Sequence, residues 1–171
     1  EHSMAKQSIA IVCGTRPEII KLAPVYRALQ SNPALDVCWI HTGQHDQMAR
    51  DMLRCFDIVP HFTLTRSGTT LESFSRECRE QLDALVGTRP WGAWVVQGDT
   101  EGAFLGALCA FYARIPVAHV EAGLRSFDRS MPEETNRVLT DQLADLLYTT
   151  ERTAEEHLVR AATEVGLVHR S

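Results

Sequence analysis

The chain of 171 residues is long enough for one domain with its own hydrophobic core. Hydrophobic residues make up 44% of it and charged residues 23%, as in an ordinary globular protein. The net charge of −5 argues against nucleic acid and membrane surfaces as partners, and the apolar runs are too short to cross a bilayer.

The first residues and the cysteines indicate the extent of the domain and the compartment of the protein. Residues 1–3, which precede Met4, are interpreted as a remnant of cloning, so the domain is expected to comprise residues 4–171. The five cysteines are widely spaced and form no C-x-x-C pair, which predicts reduced, mostly buried thiols and a cytoplasmic protein. Because H-E-x-x-H, complete G-x-G-x-x-G and P-loop motifs are also missing, the sequence predicts no metal site and no cofactor.

Apolar runs alternate with amphipathic segments along the whole chain. The first apolar run, residues 8–13, ends at Gly14 and predicts a buried strand, and a helix follows with Pro17 in its first turn. The further predicted strands are residues 36–43, 61–64, 92–99 and 116–120, with a sixth at the end of 132–150. The predicted helices are residues 17–30, 44–56, 70–86, 101–115, the first part of 132–150, and 153–162.

This alternation predicts an α/β fold, a Rossmann-like parallel sheet with helices on both faces. In such sheets ligands bind outside the carboxyl ends of the strands, so the loops after the strands are expected to carry the site. Four of these loops are rich in polar groups. They are "GTRPE" (14–18), "TGQHD" (42–46), "QGDTEG" (97–102), and the stretch from "HVEAGLR" (119–125) to "PEETNR" (132–137).

Most of the acids in these loops also have a simpler structural interpretation. Asp99 with Thr100 is a good N-cap for the helix that follows. Glu133 and Glu134 come directly after a proline, where acids favour the start of a helix. Glu121 has no such explanation, because it directly follows the apolar run "PVAHV". Its position indicates a cleft at the end of the fifth strand.

The functional interpretation rests on convergence. Asp99, Glu121 and Glu133 are expected to project into one crevice from the ends of the fourth and fifth strands. Clustered carboxylates raise one another's pKa, which can supply both an acid and a base near neutral pH. Arginines in the same loops are expected either to balance these charges or to clamp an anion. These arginines are Arg16, Arg125 and Arg137.

Five strings in these loops carry a family resemblance. "GTRPEIIKLAPV", "TGQH", "GDT", "RIPVAHVEAGLRS" and "PEETNR" together resemble the non-hydrolysing UDP-N-acetylglucosamine 2-epimerase family, in the family's order over about residues 9–160. The resemblance implies a glycosyltransferase-B-like fold of two domains with the active site in the cleft between them. This chain would be the amino-terminal half, and the carboxy-terminal nucleotide-binding domain would be absent from it. The full-length protein is expected to be a homodimer.

The resemblance also implies an activity. Family members interconvert UDP-N-acetylglucosamine (UDP-GlcNAc) and UDP-N-acetylmannosamine (UDP-ManNAc), by elimination of UDP to a 2-acetamidoglucal and re-addition with inversion at C2. It implies Asp99, Glu121 and Glu133 as the catalytic acids, and it places Arg16 near the nucleotide phosphates. The other residues assigned to substrate binding are Lys21, His45, Arg125 and Arg137.

Three alternatives stay open at this point. The chain could come from a hydrolysing 2-epimerase of sialic acid synthesis, from a non-catalytic half that only binds a nucleotide sugar, or from a glycosyltransferase of the same fold. Two departures from the family pattern are visible: Glu101 and Gly102 replace threonines after "GDT", and the chain ends at Ser171. Since the missing half of the family sequence carries a catalytic histidine and most nucleotide contacts, we expect this chain alone to turn over poorly or not at all.

Overall fold

Strands and helices alternate strictly along the computed structural model, which describes residues 5–43 and 45–164. The strands are β1 (Gln7–Cys13), β2 (Leu35–His41), β3 (Phe62–Thr63), β4 (Trp91–Gln97), β5 (Val117–Val120) and β6 (Leu146–Tyr148). The helices are α1 (Arg16–Gln30), α2 (Gln47–Cys55), α3 (Leu71–Val86), α4 (Glu101–Tyr112), α5 (Pro132–Leu143) and α6 (Arg152–Glu164). Residues 1–3, interpreted above as a cloning remnant, lie outside the described residues.

The strands form one six-stranded sheet in the order β3-β2-β1-β4-β5-β6, and all five pairings are parallel. The chain runs outward in one direction as far as β3 and then returns to the centre with β4. The order therefore reverses between β1 and β4, where Ile9 pairs with Ala93 and Ile11 with Val95. Such a reversal leaves a crevice at the carboxyl ends of the two central strands, which is the usual ligand site of an open α/β sheet.

Helices cover both faces of the sheet, as predicted. Successive side chains of a strand point to opposite faces. In β1, Ala10 and Val12 pack with α3 and α4, whereas Ile11 and Cys13 pack with α1 and α2. Because both faces are buried, the central strand reads as a continuous apolar run and not as an alternating one.

Two predicted helix boundaries are wrong by three residues each. Helix α2 begins at Gln47 and not at residue 44, because the Asp46 carboxylate caps it and accepts the Ala49 N–H at 3.1 Å. Helix α4 ends at Tyr112 and not at residue 115, because Arg114 turns into the left-handed region at φ +58°. The chain then leaves the helix toward β5.

Most of the cysteines are buried, as the sequence predicted. Four of the five cysteines are buried, Cys55 is exposed, and all five are free thiols. Burial raises the pKa of the Cys78 thiol to about 12. Among the residues that the structure describes, no helix is both long and apolar enough to cross a membrane.

Candidate active site at the strand ends

The loops after β1 and β2 touch through their glycines. A Cβ added to Gly14 would lie 2.2 Å from Thr42 Oγ1, and one added to Gly43 would lie 1.9 Å from the Gly14 carbonyl oxygen. No side chain fits at either position, so glycine is required for this close approach of two backbones. Gly14 therefore does more than turn the chain from strand to helix.

Glu18 joins the loop after β1 to the loop after β4. Its Oε2 accepts hydrogen bonds from the N–H groups of Gly14 at 2.7 Å and Thr15 at 3.0 Å, and its Oε1 accepts one from the Thr100 hydroxyl. Thr100 also caps α4, since its Oγ1 accepts the Ala103 N–H at 3.0 Å. Burial raises the pKa of the Glu18 carboxyl, against the lowering effect of its hydrogen bonds. Glu18 is thus a buried link across the switch point, in addition to a charge at the start of α1.

A cavity of about 370 Å³ opens beside this link. Its walls include His45, Arg66 and Phe74. His45 Nε2 lies 2.6 Å from the Arg66 carbonyl oxygen, and the Arg66 guanidinium carbon lies 5.2 Å from the centre of the Phe74 ring. Among the described residues that the sequence assigned to the site, only His45 lines this cavity.

Glu101, which departs from the family pattern after "GDT", also lines the cavity. Its Oε1 accepts a hydrogen bond from the Ser75 hydroxyl of α3 at 3.0 Å. The next residue, Gly102, lies close to the loop after β2, since an added Cβ would come within 3.2 Å of Thr42 Oγ1. The extra carboxylate therefore serves the contact between α3 and α4.

Glu121 follows β5 in a strained backbone conformation. Its φ is +65°, which for a residue with a side chain costs about 1–3 kcal/mol. Its Oε2 accepts a hydrogen bond from the Gln97 amide at 3.0 Å and forms an ion pair with the Lys21 ammonium. The side chain is still 19% exposed, so a ligand at this edge of the sheet can reach it. Strain of this kind is concentrated at functional positions.

Asp99 lies one strand away, in the loop after β4. Its Oδ2 is 3.3 Å from Arg137 Nη1, and its backbone carbonyl accepts a hydrogen bond from the Asn136 amide at 3.2 Å. The Asp99 carboxylate remains 36% exposed. Arg137 also reaches Glu134, whose Oε1 lies 3.5 Å from its Nε. Helix α5 therefore holds the loop after β4 through both a backbone and a side-chain contact.

The two neighbouring acids at the start of α5 have different surroundings. Glu133 is exposed and makes no hydrogen bond or ion pair with any described residue. Glu134 is buried, and its Oε2 accepts the N–H groups of Ser126 and Phe127, the latter at 2.6 Å. Burial acts to raise the pKa of Glu134, but these hydrogen bonds and Arg137 outweigh it and lower the pKa. Glu134 thus fixes the loop between β5 and α5.

The three predicted arginines also differ. Arg16, at the start of α1, is exposed and is unpaired within the described part of the chain. Arg137 contacts Asp99 and Glu134, and Arg125 Nη1 lies 2.7 Å from Asp141 Oδ2. Arg125 and Arg137 therefore balance internal acids, whereas Arg16 is a cation free to meet an anion.

Asp99 and Glu121 are thus brought to the ends of adjacent strands, where Arg137 is the partner of Asp99 and Lys21 is the partner of Glu121. Glu133 stands apart from these contacts, on the exposed side of the first turn of α5. In the described residues, no group of three or more His, Cys, Asp or Glu side chains could hold a metal ion.

The sequence analysis missed the contacts made by three acids, Glu18, Glu134 and Asp141. Glu134 and Asp141 lie two helical turns apart with Arg137 between them, a spacing that places all three on one face of α5. That spacing could have predicted a charged face on α5 turned toward the neighbouring loops. Likewise, Thr15 followed three residues later by Glu18 is a capping-box pattern that marks Glu18 as structural.

Comparison with known proteins shows the family of the chain. The family model described as UDP-N-acetylglucosamine 2-epimerase matches residues 27–170. A UDP-N-acetylglucosamine 2-epimerase of Methanocaldococcus jannaschii is 43% identical over 162 residues, which cover 91% of this chain and 43% of the relative. The Bacillus subtilis protein of the same name is 38% identical over 161 residues, or 92% of this chain and 42% of its own length. The chain therefore spans less than half the length of these curated relatives.

Solved structures give the same family. The M. jannaschii UDP-GlcNAc 2-epimerase in complex with UDP-GlcNAc and UDP matches with a TM-score of 0.86 and 38% identity, over 91% of this chain and 44% of that one. The Neisseria meningitidis UDP-GlcNAc 2-epimerase bound to UDP-GlcNAc matches with a TM-score of 0.87 and 31% identity, over 91% and 44%.

Proposed function

The chain belongs to the UDP-N-acetylglucosamine 2-epimerase family, and from this membership we propose that it is the amino-terminal domain of a non-hydrolysing epimerase that interconverts UDP-GlcNAc and UDP-ManNAc. In this proposal residues 4–171 form one wall of a cleft, and a second, nucleotide-binding domain forms the other. The coverage of 43% of the M. jannaschii relative supports a missing second half. The relatives bound to UDP-GlcNAc support the substrate class.

The observation that carries the proposal is the placement of Glu121. Its carboxylate lies at the carboxyl end of β5, held by Lys21 and Gln97 in a strained backbone and still open to solvent. The Asp99 carboxylate lies at the end of the adjacent strand and is also open. Two fixed carboxylates on one edge suit a reaction that develops positive charge and moves a proton at neighbouring carbon atoms.

The chemistry proceeds in two steps. The C2 proton of UDP-GlcNAc is not acidic, so cleavage of the bond between C1 and the UDP oxygen must run ahead of its removal. A carboxylate stabilises the positive charge that develops at C1, and a base takes the proton from C2, which gives UDP and a 2-acetamidoglucal with a C1=C2 double bond. Delivery of a proton to the opposite face of C2, with return of the UDP oxygen to C1, then gives UDP-ManNAc.

We assign the acid–base work to Asp99, Glu121 and Glu133. The reaction needs groups on both faces of the sugar, and the presence of three carboxylates in two loops supports this assignment. Glu133 has no partner among the described residues, so its carboxylate is available to a ligand. Among the cations, Arg16 is the proposed contact for the diphosphate because it too is unpaired there.

The test is isotope exchange at C2 in D2O. The chain is joined to the carboxy-terminal half of the M. jannaschii relative, and this fusion protein is compared with the chain alone. We expect the fusion protein to incorporate deuterium at C2 of UDP-GlcNAc and to form UDP-ManNAc, and the chain alone to do neither. Near-normal turnover by the chain alone would show that no second domain is needed.

Variants of the fusion protein assign the residues. Glu121→Gln keeps the shape of the side chain but removes its charge, and we expect turnover to fall by about 10²–10⁴-fold. Glu72→Gln is the matched control, since Glu72 is exposed on α3. Unchanged turnover in Glu121→Gln would remove Glu121 from the mechanism.

The same assay separates the alternatives. A hydrolysing epimerase would release free N-acetylmannosamine and UDP, whereas a glycosyltransferase would pass the sugar to an acceptor without inversion at C2. Binding of UDP-GlcNAc without exchange at C2 would identify a non-catalytic binding domain.

The remaining expectations belong to the same proposal. The whole protein is proposed to be a cytoplasmic homodimer that binds a UDP-sugar and no nucleic acid. The net charge of −5 supports the absence of a nucleic-acid partner. Light scattering on the whole protein measures the oligomeric state directly.

A further inference from the structure

A buried charged cluster lies behind the loop that carries Glu121. It consists of His119, Asp141 and Arg125, and we call it the Asp141 cluster. Asp141 Oδ1 lies 2.6 Å from His119 Nδ1, and Asp141 Oδ2 lies 2.7 Å from Arg125 Nη1. The side chains of His119 and Asp141 are 0% and 1% exposed. None of the chemistry described above uses these two residues.

The contacts of the cluster join three parts of the chain. Asp141 Oδ2 accepts hydrogen bonds from the Arg125 guanidinium and, at 3.1 Å, from the Gly123 N–H. The other carboxylate oxygen of Asp141 contacts His119 Nδ1, and His119 Nε2 lies 2.8 Å from the Gly98 carbonyl oxygen, which can only accept. The His119 ring therefore links Asp141 to the loop after β4.

The cluster connects the two loops that carry the proposed catalytic carboxylates. On one side, the His119 ring holds the carbonyl of Gly98, the residue before Asp99. On the other side, Asp141 holds the N–H of Gly123, two residues after Glu121. A single buried acid thus sets the loop after β5 and, through the His119 ring, the loop after β4.

The strained backbone explains why such a clamp is needed. Glu121 and Gly123 both have positive φ, +65° and +82°. A side chain at Gly123 would come within 2.4 Å of the Ala154 carbonyl oxygen of α6, so the loop is pressed closely against that helix. A conformation of this kind persists only where its surroundings hold it. Asp141 supplies that hold through the Gly123 N–H and through its contacts with Arg125 and His119.

We propose that Asp141 is a positioning residue for the epimerase reaction: by binding the His119 ring, Arg125 and the Gly123 N–H, it fixes the Glu121 carboxylate relative to Asp99. The kinetic part of this inference rests on the proposed function, whereas the structural part does not. Asp141 touches no substrate in this scheme and acts only through the two loops.

The first arm of the test uses nuclear magnetic resonance on the 171-residue chain. With ¹⁵N-labelled backbone, we expect the amide signals of Asp99 and Glu121 to shift in Asp141→Asn, which keeps the side-chain shape, and to stay in place in the control variant Asp145→Asn. Unmoved Asp99 and Glu121 signals in Asp141→Asn would overturn the proposal. This arm needs no epimerase activity, so it decides the matter even if the fusion protein is inactive.

The second arm measures kinetics in the fusion protein. We expect Asp141→Asn to lower kcat by about 10²-fold with little change in KM, because a small displacement of a reacting group costs rate and leaves the nucleotide contacts intact. Asp145→Asn is the matched control, since Asp145 holds the Val117 N–H at the amino end of β5, away from the site. A raised KM with unchanged kcat in Asp141→Asn would overturn the positioning role.

A second variant covers the case in which Asp141→Asn does not fold. Arg125→Gln leaves Asp141 and His119 in place but removes one cation from the partly covered edge of the cluster, where the Arg125 side chain is 10% exposed. We expect kcat to fall by about 10-fold with KM again little changed. If Arg125→Gln lowers the midpoint of thermal unfolding but leaves kcat unaltered, the cluster is a stabilising element only, and the proposal fails.

Discussion

Two pairs of loops meet at the ligand edge of the sheet, and they are held by opposite means. The loops after β1 and β2 touch backbone to backbone through Gly14 and Gly43. The loops after β4 and β5 are held by buried charges on α5, chiefly Glu134 and Asp141. The first pair has no room for adjustment. The second pair depends on hydrogen bonds to carboxylates, whose strength varies with charge and pH.

The pair of loops that is fixed by backbone contact is therefore not the pair that carries the proposed catalytic acids. Both proposed carboxylates that follow strands, Asp99 and Glu121, lie on the charge-held side, whereas the glycine-held side presents Arg16, which has no partner among the described residues. In this arrangement, a ligand anion meets Arg16 beside loops that cannot adjust. Asp99 and Glu121 are held in position by their ion-pair partners. Glu18 links the two pairs of loops, because its carboxylate accepts hydrogen bonds from the Gly14 N–H on one side and from the Thr100 hydroxyl on the other.

The largest expected effect comes from breaking the glycine contact. In Gly14→Ala, the new Cβ would lie 2.5 Å from the Gly43 backbone nitrogen, so the backbone itself must shift. We expect the free energy of unfolding to fall by about 3 kcal/mol, the upper end of the range for overpacking. Urea denaturation of the chain measures this.

Gly87→Ala is the matched control for that substitution. Gly87 ends α3 at φ −87°, and an added Cβ has nothing within 4 Å. We expect its free energy of unfolding to stay within about 0.5 kcal/mol of the unaltered chain. An equal loss in both variants would mean that the close approach at Gly14 does not limit the fold.

The next effect comes from the charge-held side. Glu134→Gln keeps the shape but leaves the Ser126 and Phe127 N–H groups with a weaker acceptor, and we expect it to cost about 1–3 kcal/mol of folding stability. Glu133→Gln, on the adjacent exposed residue, is expected to cost nothing measurable in stability but to lower turnover of the fusion protein. A stability loss in Glu133→Gln with none in Glu134→Gln would reverse the assignment of the two acids.

A smaller loss of stability is expected when the hydrogen bond between Thr100 and Glu18 is removed. Thr100→Val removes the hydroxyl that caps α4 and donates to Glu18, and we expect a loss of about 1 kcal/mol in the free energy of unfolding. Thr100→Ser keeps the hydroxyl and should recover most of that loss. If the valine variant is as stable as the unaltered chain, the hydrogen bonds of the Thr100 hydroxyl do not stabilise the fold.

The sequence predicted the sheet because its signals were local. The apolar runs of β1, β2, β4 and β5 and the helices between them were all found, and so was the edge that carries Asp99 and Glu121. The errors at α2 and α4 came from local details, an aspartate cap and a left-handed residue, that compete with hydrophobic periodicity.

The buried side-chain contacts between the loops were missed because they join distant parts of the chain. Glu18 and Thr100 are 82 positions apart, and His119 and Asp141 are 22 apart, so no spacing rule links them. Neighbouring residues of a helix point about 100° apart, which alone decides that Glu134 faces the loop and that Glu133 does not. In the sequence both stand equally well after Pro132.

The smallest expected effect is an opposite dependence of folding stability on pH at Glu134 and at Glu18. The pKa of Glu134 is lowered from 4.5, so its contribution to stability is present above pH 4.5 and is lost as the pH falls through the folded-state value. The pKa of Glu18 is raised from 4.5, so its ionisation opposes folding, and stability falls as the pH rises from 4.5 through the folded-state value. Urea denaturation from about pH 3 to pH 7 measures both effects, because each glutamine variant lacks one ionisation. The stability advantage over Glu134→Gln should grow with rising pH below 4.5, and the advantage over Glu18→Gln should shrink above it. Differences that change in the same direction would mean that the two acids are held alike, and the contrast between the two pairs of loops would then fail.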